Sequence, residues 1–131
     1  MSTVLVVDDM PIFRDPIAAS LRLAGYETLC AADGAAALAL ARARRPEVVL
    51  LDVSMPVMDG FACLRDLRRD PKLADVPVIL LTAASDRKFV IEAGKLGVKD
   101  YLLKSRFSLA DLLGRVRKYA EPHTPAPRKT G

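Results

Sequence analysis

Five short apolar runs, each followed by a longer amphipathic segment, constrain this chain more than any other feature of it. The runs are residues 4–7, 26–31, 48–51, 78–81 and 101–103. They are too short for helices, and β-branched residues recur in the first, third and fourth. The third, Val48-Val49-Leu50-Leu51, has no polar alternation, so both of its faces are expected to be covered. The segments between the runs carry helix signals. Pro11 suits the first turn of a helix that Gly25 ends, and Pro16 should distort its first turns. Asp33-Gly34 opens an Ala-rich helix reaching Arg45, with Pro46 marking its end. Asp59 can cap a third helix through Arg69, and Ser85 or Asp86 a fourth that Gly94 and Gly97 end. Ser108 can cap a last helix, from Leu109 to the neighbourhood of Ala120. Strands and helices in strict alternation imply an α/β domain: a parallel sheet, helices on both faces, right-handed crossovers.

A chain of 131 residues fits one domain, expected over residues 1–120. Residues 121–131 hold three prolines and two basic residues and read as an extended tail or a truncated linker; His123 in it reads as solvated. There is no long uncharged apolar run and no basic stretch leading into an apolar one at the N-terminus, so the expected location is the cytoplasm, with no membrane contact. The formal net charge of +4 comes from scattered basic residues. Arg42, Arg44 and Arg45, and Arg65, Arg68 and Arg69, fall at helix C-termini, where cations are favourable, so no direct binding of nucleic acid is expected. Cys30 and Cys63 have no metal-ligand spacing and read as small buried hydrophobes.

In open parallel sheets, ligands bind beyond the carboxyl ends of the strands, where the winding direction reverses. Polar residues stand at those ends here: Asp8 and Asp9 after the first run, Asp52 after the third, Thr82 after the fourth and Lys104 after the fifth. An Asp after a strand is ordinarily a turn or cap residue, and a lone Lys a solvated charge. All five together, in the order that lines the crevice, point to chemistry. Three neighbouring carboxylates repel one another unless a cation joins them. Oxygen ligands suit a hard divalent cation, and magnesium takes a few carboxylates plus phosphate oxygens. One such carboxylate can attack phosphorus to give an aspartyl phosphate, while Lys104 and the hydroxyl of Thr82 meet the phosphoryl oxygens.

These residues carry a resemblance. The segments Val4-Leu5-Val6-Val7-Asp8-Asp9, Asp52-Val53-Ser54-Met55-Pro56-Val57-Met58-Asp59-Gly60, Leu81-Thr82-Ala83 and Asp100-Tyr101-Leu102-Leu103-Lys104 are similar to those of the response-regulator receiver domain, the CheY-like domain of two-component phosphorelay signalling. The likeness covers residues 3–120 and implies a single three-layer (βα)5 flavodoxin-like domain with strand order 2-1-3-4-5. It implies that Asp52 is the phosphoacceptor, and that Asp8, Asp9, Asp52 and the backbone carbonyl of Ser54 hold Mg2+ (or Mn2+). Thr82 and Lys104 would hold the phosphoryl oxygens, and Tyr101 would turn inward as Thr82 moves. The implied partners are a sensor histidine kinase or a histidine phosphotransfer protein, and a downstream effector or output domain meeting the face of helix four, strand five and helix five. Such a domain catalyses only its own phosphorylation and dephosphorylation.

The sequence departs from the family at Ser105, where proline usually follows the lysine in a cis bond. A cis bond before a non-proline residue costs about 2.5–4 kcal/mol, so a trans bond is expected, with some displacement of Lys104. The resemblance implies that the positions of Ser54 and Ala84 tune how long the phosphate survives; neither offers a carboxylate or amide to position water, so a comparatively long-lived phosphoryl state is expected. Two rival readings are a phosphatase of the haloacid-dehalogenase type, which needs an Asp where Ser54 stands, and a pseudo-receiver used only for binding.

Overall fold

A computed structural model describes residues 2–52, 60–82 and 87–122. Ten elements alternate along the chain: β1 (Thr3–Val7), α1 (Pro11–Leu23), β2 (Glu27–Ala31), α2 (Gly34–Arg44), β3 (Val48–Asp52), α3 (Gly60–Arg69), β4 (Val78–Thr82), α4 (Arg87–Lys95), β5 (Asp100–Leu103) and α5 (Leu109–Arg117). The five strands form one parallel sheet in the order β2-β1-β3-β4-β5. Every crossover therefore needs a helix, and the helices supply both outer layers.

The side-chain period of two divides the core cleanly. Leu5, Val7, Val49, Leu51, Val78 and Leu80 pack with α2, α3 and Ala93 of α4. Their neighbours Val4, Val6, Val48, Leu50, Ile79 and Leu81 pack with α1 and α5 through Ile17, Leu21, Leu112 and Val116. Because alternate residues serve opposite layers, β1, β3 and β4 need consecutive apolar residues between their ends. β2 is an edge strand, and Cys30 on it is only half-buried, against the expectation of two buried thiols; Cys63 on α3 is fully buried. Burial, and secondarily the charge of Asp66, pushes the Cys63 thiol up to about 12. A thiol-specific reagent is expected to modify Cys30 in the native protein and Cys63 only after denaturation. Equal native rates at the two positions, followed by peptide mapping, would contradict this.

Helix ends follow their side chains. The Asp33 side chain accepts from Ala36 N at 2.8 Å, and Ser108 Oγ accepts from Asp111 N at 3.0 Å. Gly25 has φ of 102° just past Ala24, the residue that closes α1. Pro16 is exposed inside α1, and the helix passes it without interruption. Gly94 lies within α4, and the turn beyond is made by Gly97, φ 77°. Caps expected from Asp59, Ser85 and Asp86 fall outside the described residues, as does the tail from His123 onward.

Two long-range ties were not anticipated. Tyr26 lies just ahead of β2 instead of within it, because its ring joins the α1–α5 layer and its hydroxyl donates to Ala120 O at 2.7 Å. Tyr26→Phe leaves that buried carbonyl without a partner, and a urea titration should show a loss of about 1–2 kcal/mol. Arg68, expected only to sit at a helix C-terminus, donates to Leu96 O, Ala74 O, Val76 O and Gly97 O, fastening the end of α4 to the entry of β4. Arg42 and Arg44 pair with Asp70 and Glu27, in line with structural roles.

Candidate functional site

Parallel strands with a shared direction bring their carboxyl ends to one edge, and side-chain parity decides which residues meet there. Asp8 continues the parity of Val4 and Val6, Asp52 that of Val48 and Leu50, and Lys104 that of Leu102; all five apolar residues face the α1–α5 layer. The three polar groups accordingly converge. Lys104 Nζ lies 2.8 Å from Asp8 Oδ2 and 3.3 Å from Asp52 Oδ2. All three side chains are buried: 6 % of Lys104, 3 % of Asp52 and none of Asp8 is exposed. Asp9, half-buried at the rim, completes a group with Asp8 and Asp52 in which one carboxylate oxygen from each lies within 4.8 Å of the others.

Local hydrogen bonds hold this geometry. Asp8 N donates to Ala31 O at 3.1 Å, tying the end of β1 to β2. Asp8 Oδ1 accepts from Met10 N at 3.0 Å, a local turn that fixes the carboxylate and leads into α1. Arg14 Nη1 donates to Asp8 O at 3.0 Å, and Arg14 also pairs with Asp15. On the other side, Lys104 Nζ stands 4.6 Å from the centroid of the Phe13 ring. Sequence reading missed Arg14 and Phe13. The signal available was helical spacing, since a helix starting at Pro11 puts Phe13 on the same face as buried Ile17.

The Lys104–Ser105 peptide bond is trans, as expected. With that bond trans, the Lys104 ammonium reaches both carboxylates. Thr82 closes β4 in register with Leu103, but its side chain lies outside the described residues, as do Ser54, Pro56, Ala83 and Ala84. Tyr101, on β5, is 44 % exposed and so sits in an outward position.

The donor set fits a hard divalent cation. Among the described residues, the three carboxylates of this group face one ammonium, a formal excess of two negative charges, with Asp8, Asp52 and Lys104 shut off from water and Asp9 at the rim. Asp8 Oδ2 is fully buried and, among the described residues, accepts no hydrogen bond of normal geometry. Its contact with Lys104 is one of charge, and its lone pairs remain open to a further electron-pair acceptor.

The sequence model of the response regulator receiver domain matches residues 4–117. The chain belongs to that family. It is thus a receiver domain of two-component signalling, a signalling switch whose family binds magnesium at an acidic site, and the likeness stated from the sequence holds. Among curated relatives, the DNA-binding dual master transcriptional regulator RpaA of Synechocystis is 38% identical over 117 residues, 89% of this chain and 48% of that protein. Protein PilH of Pseudomonas aeruginosa is 36% identical over 104 residues, 79% of this chain and 86% of that one. The chain spans about half the length of RpaA and of similar transcriptional regulators it matches. Among solved structures, the chemotaxis protein CheY4 of Vibrio cholerae superposes with a TM-score of 0.85 at 34% identity, covering 92% of this receiver domain and 99% of CheY4. The receiver domain of a Pseudomonas aeruginosa sensor histidine kinase, solved with a magnesium ion coordinated in its active site cleft, gives 0.81 at 32% identity, covering 90% of this chain and 96% of that one. The fold expected from the sequence, with its 2-1-3-4-5 order, is the fold observed. Among the described residues, no helix is long and apolar enough to cross a membrane.

Proposed function

We propose that this receiver domain accepts a phosphoryl group on Asp52 from the phosphohistidine of a sensor histidine kinase or histidine phosphotransfer protein, and that the acyl phosphate switches the α4-β5-α5 surface toward an effector or output domain. The observation that carries this reading is the buried ammonium of Lys104 set between Asp8 and Asp52, with Asp9 completing an oxygen cluster. Asp8, Asp9 and Asp52, with the Ser54 carbonyl, would hold Mg2+ or Mn2+. The bound ion would neutralise charge on the transferring group and on the acceptor carboxylate.

In the transfer, an Asp52 carboxylate oxygen forms a bond to phosphorus as the P–N bond to the donor imidazole breaks, and the imidazole keeps that electron pair and takes up a proton. Lys104 exchanges its contact with Asp52 for a phosphoryl oxygen while retaining Asp8. Thr82 donates its hydroxyl to a second oxygen, and Tyr101 leaves its exposed position to pack inward on the space Thr82 vacates. This is a local change of charge read out by a bistable packing element. Residues 1–120 would form the receiver and 121–131 a linker or tail, acting in the cytoplasm without direct contact with nucleic acid.

Mass spectrometry after incubation with acetyl phosphate tests the reading. One phosphoryl group gained per chain, dependent on Mg2+, is the expected result. Steady phosphate release at high turnover would favour a hydrolase instead, and no gain under any metal condition would favour a module that only binds.

A further inference from the structure

We propose that Phe13 is the positioning residue for the Lys104 ammonium, its ring face fixing the cation where the phosphoryl oxygens of an Asp52 phosphate would arrive. The inference rests on the function proposed above and adds a residue to that site.

A lysine is a poor choice for a fixed contact. Its ammonium is a point charge on a flexible four-carbon stem, and it loses much rotamer freedom on being held. The backbone here adds little restraint. Lys104 is the first residue after β5 and enters a turn closed by Arg106 N donating to Leu103 O at 3.0 Å. Ser105 follows it through a trans bond and is exposed, so the fixed φ that a proline would impose is missing. Nevertheless 6 % of the side chain is exposed and its Nζ sits within reach of two carboxylates. The carboxylates set the distance of the cation from the acidic cluster but not its lateral position, because charge attraction is without direction.

The ring supplies the missing direction. A cation within about 6 Å of an aromatic centroid is drawn to the ring face by the quadrupole, more strongly where water is excluded. Phe13 stands 4.6 Å away by that measure and is itself half-buried. It is held from below, since it lies one helical turn from Ile17, which is buried in the α1–α5 layer. The first turn of α1 is in turn fixed to the acidic loop by Phe13 N and Arg14 N, both donating to Met10 O, and by Arg14 donating to Asp8 O. The strand end that carries Asp8 and the helix that carries Phe13 thus form one unit against which the ammonium is aimed. When phosphorylation takes Asp52 away as a partner, the ring and Asp8 remain to hold the cation in place.

The test compares Phe13→Leu and Phe13→Trp with wild type. In the metal-free protein, the Lys104 ε-methylene protons should show an upfield ring-current shift by NMR that Phe13→Leu removes and Phe13→Trp keeps. This readout does not depend on phosphorylation, so it stands even if acetyl phosphate gives no product. With saturating Mg2+, Phe13→Leu should slow phosphorylation of Asp52 about tenfold, the size of a modest cation–π contribution in a water-poor site, and Phe13→Trp should restore it. The Mg2+ midpoint, followed through the Asp9 amide, should stay within about twofold in both, since neither change touches a carboxylate. The proposal is overturned if the ε-methylene resonance does not move in Phe13→Leu, or if Phe13→Leu reacts at the wild-type rate. It is equally overturned if Phe13→Trp is as slow as Phe13→Leu, or if Mg2+ affinity falls in parallel with rate, which would mark Phe13 as a support of the β1–α1 loop alone.

Discussion

Asp52→Asn is expected to abolish phosphoryl uptake from acetyl phosphate while leaving the domain at least as stable as wild type. The two halves of that result have one cause. The amide is uncharged and a weak nucleophile, so no acyl phosphate forms on it. Asp52 is also buried and shares Lys104 with Asp8, so the wild-type pocket holds more negative than positive charge away from water. Removing one carboxylate relieves that repulsion, and Lys104 keeps Asp8 as its partner. The melting temperature in chelator should be unchanged or raised by up to about 3 °C, the shift that roughly 1 kcal/mol produces in a domain of this size. A variant that still gains a phosphoryl group at the wild-type rate would remove Asp52 as the acceptor. A variant that unfolds would mean that Asp52 contributes to the fold more than it strains it.

Lys104→Met should have the largest effect on stability of any change at the site. It keeps most of the side-chain volume and removes only the charge. Asp8 and Asp52 would then face each other, buried, without the ammonium between them. Removing one partner of a buried ion pair typically costs 3–5 kcal/mol, and a loss of about 3 kcal/mol is expected by urea titration in chelator at neutral pH. Mg2+ should return much of it. A ligand that binds the folded state alone adds about 2.7 kcal/mol at a hundredfold excess over its dissociation constant. The variant should gain more from the metal than wild type does, because no ammonium competes for the same oxygens. A loss below about 0.5 kcal/mol, or indifference to Mg2+, would show that the contact seen in the structure carries little energy.

The strands could be read from the sequence because a strand covered on both faces is a continuous apolar run, and β1, β3 and β4 are such strands. The reading was weaker at the edges of elements. Tyr26 belongs with the second strand-like run by composition, but its hydroxyl is drawn to Ala120 O, 94 residues away, and no local pattern announces a bond of that range. Arg68 is one of three arginines at the end of α3, and nothing in its spacing distinguishes the one whose guanidinium gathers four backbone carbonyls from its exposed neighbours. Arg45 adopts φ of 47° after α2, a left-handed conformation more usual for glycine, and Pro46 signals the end of the helix but not that geometry.

The acidic site was legible for a topological reason. Residues at strand ends are placed by the sheet, so identity and order along the chain suffice to bring Asp8, Asp52 and Lys104 together. Phe13 and Arg14 reach the same place from a helix, where position depends on the rotation of the helix against the sheet. That rotation is set by which of the residues around Ile17 and Leu21 are buried, and so emerges only with the packed structure. The same distinction explains why Lys104 keeps its contacts despite Ser105: the strand directs it to the site, and the groups already waiting there hold it.

A magnesium titration of the unphosphorylated protein, followed by amide NMR, tests the central claim most directly. A single saturable site is expected, with the largest shifts at Asp8, Asp9 and Asp52 and at their neighbours Met10 and Lys104, and with binding weakened when any one of the three carboxylates is made an amide. Shifts scattered over the surface without saturation, or a saturable site elsewhere that the three substitutions leave intact, would contradict it.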